Sequence, residues 1–115
     1  MPMTTLFGIK NCDTVRKARK WLKEHEVDYK FHDFRADGLD VSLLDQLESE
    51  LGWENMINRR GTTWRQLSEA EQSDLTKDKA KQLMLEQPTL IKRPIFESKS
   101  RFLLGFSSDD YQKIL

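Results

Sequence analysis

The first 34 residues constrain the fold of this chain most tightly. Thr4-Thr5-Leu6-Phe7-Gly8-Ile9 is a β-rich run ended by Lys10-Asn11. From Asp13 to near His25, Val15, Ala18, Trp21 and Leu22 recur at three- and four-residue spacing, while Arg16, Lys17, Arg19, Lys20 and Lys23 fill the other face. That period predicts one amphipathic helix. Val27 to Phe34, with Tyr29, Phe31 and Phe34 among polar residues, predicts a second strand before the turn residues Asp37-Gly38. Parallel strands joined by a helix need a right-handed crossover and a covered sheet, so this βαβ opening points to an α/β layered domain.

The middle of the chain reads differently. Leu39, Leu43, Leu44, Leu47 and Leu51 mark a helix closed by Gly52, and Leu67 to Leu75 and Lys77 to Glu86 continue in helical composition, with Ser68 and Thr76 as N-caps. Trp53, Met56, Ile57 and Trp64 follow no clean period and are expected as core anchors. After Pro88, β character returns in Leu90-Ile91, Pro94-Ile95-Phe96 and Arg101-Phe102-Leu103-Leu104, with Glu97 to Ser100 as a hairpin loop. Ser107-Ser108 can cap a final helix running to Leu115. The expected architecture is a single domain over 1–115: an N-terminal βαβ and a C-terminal ββα share a mixed sheet, interrupted by a helical insertion at roughly 39–87. That order resembles the thioredoxin-like fold.

A chain of 115 residues can bury a core without metal or disulfide staples. Its 19 basic and 19 acidic residues cancel, which removes the signature of a dedicated nucleic-acid binder. No apolar run approaches the ~20 residues that cross a bilayer, and Met1-Pro2-Met3-Thr4 lacks a targeting pattern. One cysteine cannot form an internal disulfide, so a cytoplasmic, reducing compartment is expected; nothing predicts a dimer, so a monomer is expected too. With His25 and His32 as the only histidines, no cluster has metal-ligand spacing. No glycine-rich phosphate loop is present.

Cys12 is the first candidate for chemistry. A lone cysteine is commonly a small buried hydrophobe. This one lies off the apolar stripe at the start of a helix, between polar Asn11 and Asp13 and near Lys10 and Arg16, where unpaired N–H groups and the helix dipole favour a thiolate. Val15 stands where a dithiol motif would place its second cysteine. A catalytic disulfide must therefore be mixed, and glutathione is the expected co-substrate, with no bound cofactor. The second candidate is Leu90-Ile91-Lys92-Arg93-Pro94-Ile95, whose proline interrupts an apolar run. A thioredoxin-like fold would give Pro94 a cis bond opposite the thiol and set Arg93 beside Cys12, although Lys92-Arg93 also reads as a solvated edge pair. The third is Asn58-Arg59-Arg60-Gly61-Thr62-Thr63-Trp64-Arg65, a guanidinium-rich loop suited to a carboxylate or oxyanion, and equally an ordinary solvated connection. Its glycine suggests a special backbone turn.

Gly8-Ile9-Lys10-Asn11-Cys12-Asp13-Thr14, Arg59-Arg60-Gly61-Thr62-Thr63-Trp64-Arg65-Gln66-Leu67, Leu90 to Ile95 and Leu103-Leu104-Gly105-Phe106 occur in an order that resembles the arsenate reductase (ArsC)-like family. The likeness is strongest to its YffB-type branch and extends to the related Spx-type regulators. In the glutaredoxin-linked arsenate reductases, a thiolate matching Cys12 attacks arsenate, and arginines matching Arg60 and Arg93 hold the oxyanion and lower the thiol's pKa. A third family arginine falls where this chain reads Leu104-Gly105-Phe106, with Arg101 out of register. The resemblance implies a glutathione-dependent thiol reductase catalysed by Cys12, Arg60 and Arg93. Lys10, Asn11, Arg59 and Pro94 would contact a small oxyanion or disulfide substrate, and glutaredoxin is an implied partner. It also implies a rival, since Spx-type members bind RNA polymerase through its α subunit and sense oxidation through a Cys-x-x-Cys switch that Val15 removes here.

Overall fold

Four short strands, β1 (Thr5–Gly8), β2 (Lys30–Asp33), β3 (Ile95–Ser98) and β4 (Arg101–Leu104), form a mixed sheet in the order β2-β1-β3-β4. The computed structural model describes residues 4–10 and 12–115. By contact the chain divides into two compact units, Met1–Gly38 with Arg93–Leu115, which holds the sheet, and Leu39–Lys92, which is helical. Strand β1 runs parallel to β2 and antiparallel to β3, and β3 pairs antiparallel with β4. The thioredoxin-like α/β architecture expected from the sequence is the one observed.

Register explains which side of the sheet holds the core. Leu6 lies opposite both Phe31 and Phe96, and Phe96 opposite Leu103, so these four share one face. Helix α1 (Asp13–Glu24) brings Val15, Ala18 and Leu22 onto that face, and a C-terminal helix (Ser108–Ile114) brings Tyr111 and Ile114. Phe96 and Tyr111 stack with ring centroids 4.1 Å apart. Each fully buried side chain of this size contributes roughly 1.5–3 kcal/mol, which is what holds α1 against the sheet. Phe7 and Ile95, one residue out of phase, sit on the opposite face and are also buried.

The second strand starts at Lys30 rather than Val27, and the helix end gives the reason. Glu26 adopts φ 55°, its N–H donates to the Lys23 carbonyl, and the Val27 N–H donates to the Leu22 carbonyl. This paired closure uses residues 25–27 to terminate α1 before the chain can extend. The hairpin loop is likewise shorter than expected. Lys99 and Ser100, both at positive φ, turn the chain alone, and β3 continues through Glu97 and Ser98.

The helical unit contains α2 (Val41–Leu51), α3 (Trp53–Met56), α4 (Thr62–Gln66), α5 (Glu69–Gln72) and α6 (Lys77–Glu86), and the C-terminal helix of the sheet unit is α7. Asp40 caps α2 by accepting the Leu43 N–H at 2.8 Å, and Gly52 ends it at φ 84°. Ser68 and Glu71 form a reciprocal capping box, and Thr76 accepts the Lys79 N–H. The helix expected over Leu67 to Leu75 is only α5, because Ser73 turns extended and Asp74 takes φ 53°. The expected strand at Leu90-Ile91 is a 3-10 turn over Pro88–Leu90 followed by a single bridge from Ile91 to Ile57. Pro88 suits the first position of such a turn, and the bridging partner is one residue long, so no ladder can extend. Met56 and Ile57 are buried as expected, whereas Trp53 and Trp64 are half-buried.

Candidate functional site

Cys12 is the N-cap residue of α1, half-buried against the Leu6-Val15-Phe96 cluster. Its extended backbone lets the Cys12 carbonyl accept the first helical bond, from the Arg16 N–H at 2.9 Å. The N–H groups of the first turn have no carbonyl partner within the helix, and those of Val15 and Thr14 favour the anion at the sulfur. The neutral thiol forms no regular capping bond, but the anion draws on the same donors. Burial pushes the Cys12 thiol up; the Val15 N–H, the hydrogen-bonding and positively charged Arg93 guanidinium, and the Thr14 N–H outweigh it and hold the thiol below its ordinary pKa.

The first turn is held by close packing. Val15 is fully buried, and a Cβ placed on Gly8 would stand 2.8 Å from Val15 Cγ2. Glycine is thus required where β1 ends because the valine side chain occupies the space, not because of backbone conformation. That valine fills the position a resolving cysteine would occupy in a dithiol motif.

Arg93 reaches the thiol from the segment preceding β3. Its bond to Pro94 is cis, as the sequence led us to expect, and Pro94 is buried. The Pro94 carbonyl accepts the Gly105 N–H at 2.8 Å, and the Gly105 carbonyl accepts the Tyr111 hydroxyl at 2.6 Å. Arg93 therefore stands on a segment tied to the end of β4 and to α7. Gly105 itself takes φ 80°, within the Leu104-Gly105-Phe106 stretch that stands in place of the third arginine implied by the resemblance. Arg101 does not replace it, being exposed at the hairpin end of β4, about 10 Å of strand away from Leu104.

Lys10 has an exposed side chain, and Asn11 lies outside the described residues. Arg59 and Arg60 belong to the helical unit and are exposed there; with Glu54, Ile57, Asn58 and Lys92 they line an open cleft of about 430 Å³. The Arg59 guanidinium lies 5.5 Å from the centre of the Trp64 ring. Gly61 does not make the special turn its sequence suggested. Its φ is −82°, and the restriction is the Asn58 side-chain amide, 2.8 Å from where a Cβ would be.

Sequence reasoning missed Asp33. This carboxylate, 5% exposed at the end of β2, accepts N–H donors from Arg35 at 2.8 Å, Ala36 at 3.1 Å and Lys10 at 3.2 Å. Burial pushes it up, but the Ala36, Arg35 and Lys10 N–H groups and the Lys10 charge hold it below the usual carboxylate range. The available signal was an acid inside the aromatic run Phe31-His32-Asp33-Phe34. Among the described residues no group of three or more His, Cys, Asp or Glu side chains is placed to hold a metal ion, and no helix is long and apolar enough to cross a membrane.

Residues 7–114 match the ArsC family. The solved structure of a YFFB protein is 50% identical, with a TM-score of 0.92, and the match covers 98% of this chain and 99% of that one. An arsenate reductase (ArsC) related protein from Brucella melitensis is 43% identical, with a TM-score of 0.80 over 96% of this chain and 92% of its own. The global transcriptional regulator Spx of Streptococcus agalactiae is 34% identical over 98% of this chain and 83% of its own length. The chain belongs to the ArsC family. Membership, together with the arsenate reductase-related structure, supports chemistry of the thiol-reductase kind.

Proposed function

We propose that the protein is a cytoplasmic, monomeric, glutathione-dependent monothiol reductase with Cys12 as nucleophile and no bound cofactor. The observation that carries this reading is the Cys12 sulfur at the mouth of α1, with the Val15 and Thr14 N–H groups and the Arg93 guanidinium favouring its thiolate. The thiolate attacks the glutathionyl sulfur of a mixed disulfide substrate, forming a Cys12–glutathione disulfide and releasing the substrate sulfur, which takes a proton. A second glutathione thiolate then attacks the glutathione sulfur of that adduct, releasing oxidised glutathione and restoring Cys12. Glutaredoxin can perform the second step. Arg60 is assigned with Arg93 to the catalytic set, holding the reacting anionic group, and Arg59, Lys10, Asn11 and Pro94 to the remaining contacts with the substrate. Arsenate is the second-choice substrate, because this chain reads Leu104-Gly105-Phe106 where the resemblance implies a third arginine in contact with the oxyanion. Cys12→Ser is expected to reduce a glutathionylated peptide only at the uncatalysed rate, and wild-type turnover in that variant overturns the reading.

The 34% identity to Spx favours a second reading, a partner-binding module without turnover. It predicts that wild type and Cys12→Ser alike capture the α chain of RNA polymerase through its carboxy-terminal domain. Absence of binding at micromolar concentrations ends it.

A further inference from the structure

We propose that Asp33 is the positioning residue of the Cys12 site: its carboxylate ties the loop leading into α1 to the end of β2 and so sets where the sulfur meets the helix. The proposal rests on the reductase reading. A carboxylate is rarely buried in a small domain, and its desolvation must be offset by donors. Asp33 has two separate sets of them. Oδ1 accepts the Arg35 and Ala36 N–H groups, which closes the local turn after β2. Oδ2 instead reaches 23 residues back in the sequence to the Lys10 N–H, two residues ahead of Cys12. The turn alone would be served by Oδ1 on an exposed side chain. Burial and the second oxygen are explained by the Lys10 arm.

The Phe34 N–H donates to the Gly8 carbonyl at 2.9 Å, so the ends of β1 and β2 are already side by side where Asp33 reaches across. On the far side of the loop, Val15 packs onto Gly8. A negative charge at Asp33, acting directly on the thiol, would raise its pKa, so a positioning role that favours the thiolate runs through the loop instead.

The test exploits a difference in sign. Asp33→Asn keeps an oxygen for the local turn but sets an amide donor against the Lys10 N–H. Loss of a nearby negative charge would by itself favour a thiolate, whereas a loosened loop disfavours it. The pH dependence of iodoacetamide alkylation of Cys12 reads the outcome. Expected is an upward move of the midpoint and, at pH 6, a rate about threefold lower or less than that of wild type. Asp33→Ser, whose hydroxyl can serve the turn but is too short for Lys10, is expected to behave alike and stands in if the Asn variant does not fold. Asp37→Ala provides the control. Asp37 accepts the Asp33 N–H at 2.9 Å in the same turn without touching Lys10, so this variant should lower thermal stability and leave the alkylation profile in place. An unmoved or lowered midpoint in the Asp33 variants, or an equal rise in Asp37→Ala, overturns the positioning role alone. A wild-type thiol titrating at its ordinary value overturns the reductase reading and the proposal with it.

Discussion

The sheet unit and the helical unit carry their candidate site residues in different ways. Cys12 and Arg93 are each held at the end of a regular element, α1 of twelve residues and the entry to β3, with their neighbours tied by Gly8, Asp33, Gly105 and Tyr111. Arg59 and Arg60 stand on a connection among helices of four or five residues, and both are exposed. A thiol whose proton affinity must be tuned needs donors fixed to a fraction of an ångström, and packed strands and a long helix supply that. A guanidinium is charged at every physiological pH and has a long, flexible side chain, so an exposed loop suffices for it.

Core truncation gives the largest test of this contrast. Leu22→Ala on α1 and Leu47→Ala on α2 both remove fully buried side chains, and each should cost about 2–5 kcal/mol in denaturant unfolding. The difference lies at the thiol: Leu22→Ala should raise the alkylation midpoint of Cys12, and Leu47→Ala should leave it in place in the folded protein. Equal shifts would erase the distinction between the units. Next comes Gly8→Ala, whose methyl group meets a stiff, buried valine. It should cost about 1–3 kcal/mol and slow alkylation by displacing the Val15 N–H.

Arg93→Ala should raise the thiol pKa, because it removes both a hydrogen bond and a positive charge from the anion. Arg60→Ala should raise KM for an anionic substrate and leave the alkylation profile alone; a shifted profile would contradict its role in substrate binding only. A pH series sharpens the same point. The depressed Cys12 pKa contributes stability that is complete above the unfolded value of about 8.5 and is lost as pH falls through the folded one. The Tm advantage of reduced wild type over Cys12→Ser should therefore shrink as the pH is lowered from 9 to 5. The smallest effects belong to the helical unit's caps. Ser68→Ala should cost about 1 kcal/mol, read as a Tm drop of a few degrees with no change at the thiol.

The helices and strands that could be read in advance are those with long periods or unambiguous ends. Val15, Ala18 and Leu22 announced α1, Gly52 and Thr76 marked helix ends, and the position of Cys12 at a helix start followed from that periodicity. What escaped the sequence depends on partners far along the chain. Ile91 looks like a strand residue, but it forms an isolated bridge with Ile57 rather than a ladder, and nothing local in either segment says so. Glu26 and Asp74 took left-handed conformations that their residue types do not demand, which moved the start of β2 and shortened α5. Asp33 was overlooked for the same reason: its local turn is unremarkable, and its second oxygen acts on Lys10. Arg93 beside Cys12 was legible only through the fold.

Cys12 is at once the N-cap residue of α1 and the proposed nucleophile, and the Val15 and Thr14 N–H groups that favour its anion belong to the first turn of that helix. When that sulfur bonds to another, the charge disappears and the Thr14 and Val15 N–H groups and Arg93 lose the anion they stabilised. Under the proposed reading the adduct forgoes those contacts, and the groups that hold the thiol below its ordinary pKa also make Cys12 the better leaving group. In the proposed cycle, capture and release draw on one set of contacts, and a chain with a single cysteine needs an outside thiol for that release.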